Sequence, residues 1–165
     1  MTADTPIIHR EAVQTAWVDY NGHLNVAYYN LIFDHATDVL LDRLGVGAAY
    51  ADASGCSTFV VEAHTRYVDE LVDGAPVRVM TQLLGFDEKR LHYFHTMEHD
   101  EKGFLAATQE LMSVHVDLTK RKTAPFPERA LKTIAAVAAS HARTERPETV
   151  GAAIRPPRPR APGAE

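Results

Sequence analysis

The chain has 165 residues, of which 45% are hydrophobic and 24% charged, with a formal charge of -5. That is the composition of one globular domain with a real core, and a net negative surface gives no broad attraction for nucleic acid or an anionic membrane. Its single cysteine, Cys56, excludes an internal disulfide and a thiolate zinc cage and fits a reducing compartment. Because the N-terminus has neither a basic nor a sustained apolar stretch, the expected location is the cytoplasm, with no nucleic-acid or membrane partner.

Residues 7–18, "IIHREAVQTAWV", mix β-branched and aromatic residues and end at the turn formers Asp19, Asn21 and Gly22, which predicts a strand followed by a tight loop. From Val26 to Leu44 the apolar residues Tyr29, Phe33, Ala36, Leu40 and Leu44 recur at three or four, while Asn30, Asp34, Asp38 and Asp42 form a polar stripe. The spacing predicts a long amphipathic helix, stopped by Gly45 and Gly47. It is expected to be the most buried element. After a small-residue connection the period changes to two over 59–68, and strands are predicted again over 75–86, 90–99 and 104–118, separated by short Asp/Glu/Lys/Gly turns. Short turns make consecutive strands antiparallel neighbours. The fold class is therefore α+β, about five antiparallel strands wrapped around one central helix. A C-terminal helix is predicted over 127–145, with Pro127 at its first position. The domain thus spans 1–145, and the Pro/Arg-rich stretch 146–165 is expected to be a disordered tail.

The segment "DYNGHLNV" (19–26) places polar residues at the mouth of the helix. A helix N-terminus presents unpaired N–H groups worth about half a positive charge, a place that stabilises an oxyanion. A carboxylate at Asp19 beside those donors is the pairing that acyl transfer needs. The same residue types are also preferred turn formers and N-caps, so the loop alone leaves both readings open. His92, His95 and His99 would share a helix face as a metal set. On a strand His92 faces away from His95, and His95 lies ~13 Å from His99, so no metal is expected. The basic clusters Lys89–Arg90 and Lys120–Arg121–Lys122 fit solvated turns as well as phosphate contacts. Glycine-rich phosphate loops and a "GxSxG" nucleophile signature are absent.

The run "DYNGHLNVAYY" followed by a long helix and four strands resembles the hotdog-fold acyl-CoA thioesterases of the 4-hydroxybenzoyl-CoA thioesterase-like family, over roughly residues 6–127. The resemblance implies a hotdog fold, acyl-CoA thioester hydrolysis without a cofactor, and a homodimer or dimer of dimers with sites at the subunit interface. It also implies Asp19 as nucleophile or general base, His23 and Asn25 shaping the loop, and an oxyanion hole of backbone N–H groups around Val26 and Ala27. The stretches "YVDELVDGAPVRV", "GFDEKRLHYFHTMEH", "ATQELMSVHVDL" and "KRKTAPFP" are similar, further, to betainyl-CoA thioesterases of carnitine breakdown. That similarity asks for a pocket accepting a trimethylammonium group, with Trp17, Tyr20, Tyr67 and Glu62 as candidate walls. Rival readings are a general short-chain or aryl acyl-CoA thioesterase, a hotdog hydratase, and a noncatalytic acyl-CoA-binding protein, the last disfavoured by Asp19.

Overall fold

The structure is a computed structural model that describes residues 6–155. Helix α1, Val26–Leu44, forms where the apolar period requires it, and both of its ends are closed by side-chain or backbone caps. Asn25 accepts from the Ala27 N–H at the start, and Gly45, at φ +75°, ends the helix in the left-handed conformation that glycine adopts without strain.

Strand β1 (Ile7–Ala12) precedes α1. After α1 come a short helix α2 (Ala48–Ser54) and strands β2 (Cys56–Tyr67), β3 (Pro76–Phe86), β4 (Arg90–His99), β5 (Leu105–Asp117) and β6 (Lys122–Thr123). Helix α3 (Glu128–His141) closes the domain. The sheet order is β1-β3-β4-β5-β2, with the two-residue β6 added beyond the N-terminal end of β4 on β5, and every pairing is antiparallel.

The core divides along α1. Its N-terminal half buries Tyr29, Ile32, Phe33 and Ala36 against Val77, Val79, Met97 and Ala107. Its C-terminal half buries Leu40, Leu41 and Leu44 against Leu83, Leu91, Tyr93, Leu111 and, from α3, Ile134 and Val137. Asn30, Asp34, Asp38 and Asp42 stay exposed as the polar stripe. One open face makes α1 less enclosed than expected: eight of its nineteen residues are buried, against six of ten in β4. The central strand, flanked by neighbours on both sides, is the more buried element.

Four further differences separate the structure from the sequence reading. The first strand stops at Ala12, because Thr15–Trp17 make a 3-10 turn that brings the Trp17 carbonyl to the Asn25 N–H at 2.9 Å. The small-residue connection is helical: Ala-rich sequence favours helix, and Gly55 caps it in the left-handed region. Strand β2 pairs with β5 rather than with β3, since the eight residues 68–75 form a crossing loop instead of a hairpin turn. Pro127 is the N-cap of α3 rather than its first residue, and α3 ends at His141. Of the tail 146–165, residues 147–152 make consecutive turns, and the Gly151 N–H donates to Glu110 Oε2 at 2.7 Å; residues 156–165 lie outside the described residues. No helix among the described residues is long and apolar enough to cross a membrane.

Candidate active site

The loop between β1 and α1 is tied to the body of the protein at both ends. Val18 and Leu24 form an antiparallel bridge, the Asp19 N–H donates to His23 O at 3.1 Å, and the Gly22 N–H closes a turn on Asp19 O at 3.0 Å. Gly22 sits at φ +85°, where a side chain would be strained. Leu24 is buried, and its N–H donates to Leu71 O at 2.7 Å. These bonds fix the backbone that carries Asp19.

The Asp19 carboxylate accepts from the Asn21 N–H at 2.8 Å on Oδ1 and from Asn25 Nδ2 at 3.5 Å on Oδ2. Oδ1 is thus anchored, while Oδ2 is held only by a long contact and keeps its lone pairs available. Asn25 works in two directions: Oδ1 caps α1 on the Ala27 N–H at 3.0 Å, and Nδ2 reaches Asp19. The cap occupies the Ala27 N–H, whereas the Val26 N–H makes no hydrogen bond among the described residues. Of the two donors that the resemblance named, Val26 is the one free to meet a developing oxyanion.

Asp19, His23 and Val26 line a cleft of about 430 Å³ with Tyr29, Tyr67, Val68, Asp69 and Glu70. The Tyr29 hydroxyl donates to Asp69 O and accepts from the Leu71 N–H, both at 3.2 Å, and burial raises its pKa above the ordinary value. It is a neutral, fixed wall. The Tyr67 ring stands edge-on to Tyr29, with centroids 5.3 Å apart. His23 Nε2 lies 3.9 Å from Glu70 Oε2 at the exposed rim. Beside the cleft, Asn30 Nδ2 donates to the Tyr67 hydroxyl at 3.2 Å, and Asn30 Oδ1 accepts from Gln109 Nε2 at 2.8 Å and from Thr65 Oγ1 at 3.3 Å.

The structure therefore gathers Asp19, His23, Asn25, Val26 and Tyr67, and separates the other three. Trp17 is buried and stacked on Tyr28 at 5.5 Å. Tyr20 is 97% exposed on the turn. Glu62 lies in register with Met112, beside His64, His92 and Glu110, on the sheet face opposite α1. The register is unbroken from Glu62 to Tyr67, so plain alternation along β2 puts these two residues on opposite faces, and the bulge between Val60 and Glu62 lies before that stretch. Sequence reasoning missed Asp69, Glu70 and Tyr29 as cleft residues. Tyr29 follows Asn25 by four, one helical turn, a spacing that could have flagged it.

The strand histidines do not converge. His92 Nε2 meets Glu110 Oε1 at 2.7 Å, His95 is buried between Thr37 and Thr81, and His99 Nδ1 accepts from the Glu101 and Lys102 N–H groups. Of the basic turns, Arg90 pairs with Asp87, Lys89 with Glu88 and Lys120 with Asp117, all as local surface contacts.

The sequence profile of the thioesterase-like superfamily matches residues 13–134. A betainyl-CoA thioesterase of Pseudomonas aeruginosa is 41% identical over 93% of this chain and 92% of its own. A Staphylococcus aureus protein solved in complex with CoA superposes with a TM-score of 0.87 at 29% identity, covering 93% of this chain and 96% of that one. A candidate thioesterase of Pseudomonas putida KT2440 does so with a TM-score of 0.81 at 38% identity, over 93% and 97% of the two chains. With its hotdog-fold sheet and helix, this chain belongs to the thioesterase-like superfamily.

Proposed function

We propose that the chain is an acyl-CoA thioester hydrolase whose substrate is betainyl-CoA, with Asp19 as the reacting carboxylate. The observation that carries this reading is the Asp19 carboxylate, anchored through Oδ1 with Oδ2 lightly held, at the first turn of α1 in an open cleft. Acting as a base, Oδ2 takes a proton from water while the water oxygen adds to the thioester carbonyl. The charge that develops on the carbonyl oxygen meets the Val26 N–H and the positive end of the helix. Collapse expels CoA as its thiolate and leaves the free acid. Acting as a nucleophile, the same oxygen forms an acyl anhydride that water then opens. Either route uses the same three groups.

A trimethylammonium group donates no hydrogen bond, so its recognition rests on aromatic faces and nearby negative charge. Tyr29, Tyr67, Asp69 and Glu70 supply both in the cleft, and the identity with the Pseudomonas aeruginosa enzyme supports the same acyl group. The rings alone would equally take a neutral short or aryl acyl chain.

The working particle in this reading is a homodimer, or a dimer of such dimers. Among the described residues strand β2 ends the sheet with no partner on its outer side, and Phe59, Val60 and Val61 are 40%, 44% and 58% exposed there. Pairing of β2 with a second copy would cover that edge beside the cleft, which Tyr67 of the same strand helps to line. We place the protein in the cytoplasm, which suits its single thiol.

The substrate assignment is tested by thiol release from betainyl-CoA and from an analogue with tert-butyl in place of trimethylammonium. A cation site predicts kcat/KM at least about tenfold higher for betainyl-CoA, the worth of roughly 1.4 kcal/mol of cation–π attraction. An equal or higher value for the neutral analogue assigns the chain to general short-chain acyl-CoA hydrolysis instead.

A further inference from the structure

A second set of chemistry-bearing side chains lies away from the cleft, at the opposite edge of the sheet. The alternation of β1 puts Ile7, His9 and Glu11 on one face, and Ile7 is buried. His35 comes from α1, nine residues and ~13 Å beyond the helix start at the cleft. Glu11 Oε1 is 2.7 Å from His9 Nε2 and 2.9 Å from His35 Nδ1, and one ligand atom from each residue lies within 4.8 Å of the other two. The side chains of Glu11 and His9 are 16% and 19% exposed, and His35 is 38% exposed, so the set is held from within and open to solvent on one side.

We propose that His9, Glu11 and His35 form a binding site for a divalent ion of the zinc class, which ties the edge strand β1 to the central helix. Two imidazoles and one carboxylate are the donor set that zinc and its neighbours take, in contrast to the all-oxygen shells of magnesium and calcium. Ligand atoms around a tetrahedral zinc lie roughly 3 to 3.5 Å apart, given bonds of ~2.0 to 2.2 Å. The two observed separations onto Glu11 have to widen by only a few tenths of an ångström to admit the ion. Without an ion, Glu11 accepts a proton from each ring. With one, both rings switch tautomer: the ring protons move to His9 Nδ1 and His35 Nε2, which make no hydrogen bond among the described residues, and the inward nitrogens present lone pairs. No net proton has to leave. A fourth position remains for water on the solvent side. The site does not depend on the thioesterase reading, because none of its residues lines the cleft.

Because the three groups also satisfy one another by hydrogen bonding, the test must separate an ion from that network. Untagged, chelator-treated full-length protein is titrated with zinc chloride by calorimetry and melted with and without zinc. Wild type is expected to bind one zinc per chain and to melt at a higher temperature with it. Glu11→Gln and His35→Ala should each weaken binding by at least about tenfold, while His92→Gln, at the other histidine–carboxylate pair, should leave it unchanged. Cobalt(II) in place of zinc should give visible absorption bands that vanish in His35→Ala, a solvent-facing change that spares the core. Absence of a saturable site in wild type, or equal affinity in a folded His35→Ala, overturns the proposal.

Discussion

Asn25 contributes to two structures at once. Its Oδ1 caps α1 and its Nδ2 approaches Asp19, so a helix-capping residue also touches the carboxylate proposed to react. Aspartate, equally good as a cap, would put a like charge against Asp19 and lose the amide donor. At the other extreme of burial, His95 is fully enclosed, stacked on Phe33 at 5.7 Å and bonded to two threonines. Thr37 donates to Phe33 O and so accepts from the His95 Nε2–H, which leaves Nδ1 to accept from Thr81. The neutral ring satisfies both of its nitrogens. Burial, with a smaller effect from His9, lowers its pKa to about 3. In the unfolded chain the ring titrates near 6.5, so below that pH the unfolded state binds the extra proton and the folded state does not. Stability falls as the pH drops, by about 1.4 kcal/mol per pH unit for this one group, until the folded pKa is reached. Denaturant melts between about pH 6 and about pH 4.5 should show His95→Gln losing less stability than wild type, by one proton's slope. Identical slopes would mean that His95 is not excluded from protonation in the fold.

At the level of elements, legibility followed periodicity. Helix 26–44 and strand 90–99 match their sequence spans to the residue, because a sustained period with glycine or charged turns at its ends has few alternative readings. What failed were features set by distant contacts. The partner of β2 depends on how residues 68–75 cross the sheet, and the bulge between Val60 and Glu62 leaves no mark in composition. The site was legible in part for the same reason. Asp19, Asn25 and Val26 belong to one local motif, but Asp69 and Glu70 enter the cleft through a crossing loop that sequence spacing cannot place. His9 and Glu11 are two apart on β1, yet His35 reaches them only through the packing of α1. The open edge of β2 carries its own expectation. A lysine at Val61, 58% exposed and at the bulge, changes little within one chain but puts a solvated charge where a second edge would pair. Light scattering at micromolar concentration should give a dimer or tetramer for wild type and a smaller particle for Val61→Lys. A stable wild-type monomer would rule out the paired edge.

Across the whole molecule the two sheet edges hold different chemistry. The β2 edge, with Tyr67, borders the cleft, and the β1 edge carries the His–Glu–His set. Between them α1 places its start at the cleft and its middle in the core, so one helix both organises the fold and borders the candidate site. The proposed hydrolysis rests on the Asp19 carboxylate at the cleft beside the start of α1. The most direct test replaces that carboxylate by its isosteric amide, which keeps an acceptor for the Asn21 N–H and so preserves the loop. Asp19→Asn should retain the wild-type melting temperature and oligomeric state while kcat for thiol release falls at least about a hundredfold, the loss expected when a base or nucleophile is removed. A folded Asp19→Asn protein that hydrolyses its best acyl-CoA at near the wild-type rate would contradict the mechanism.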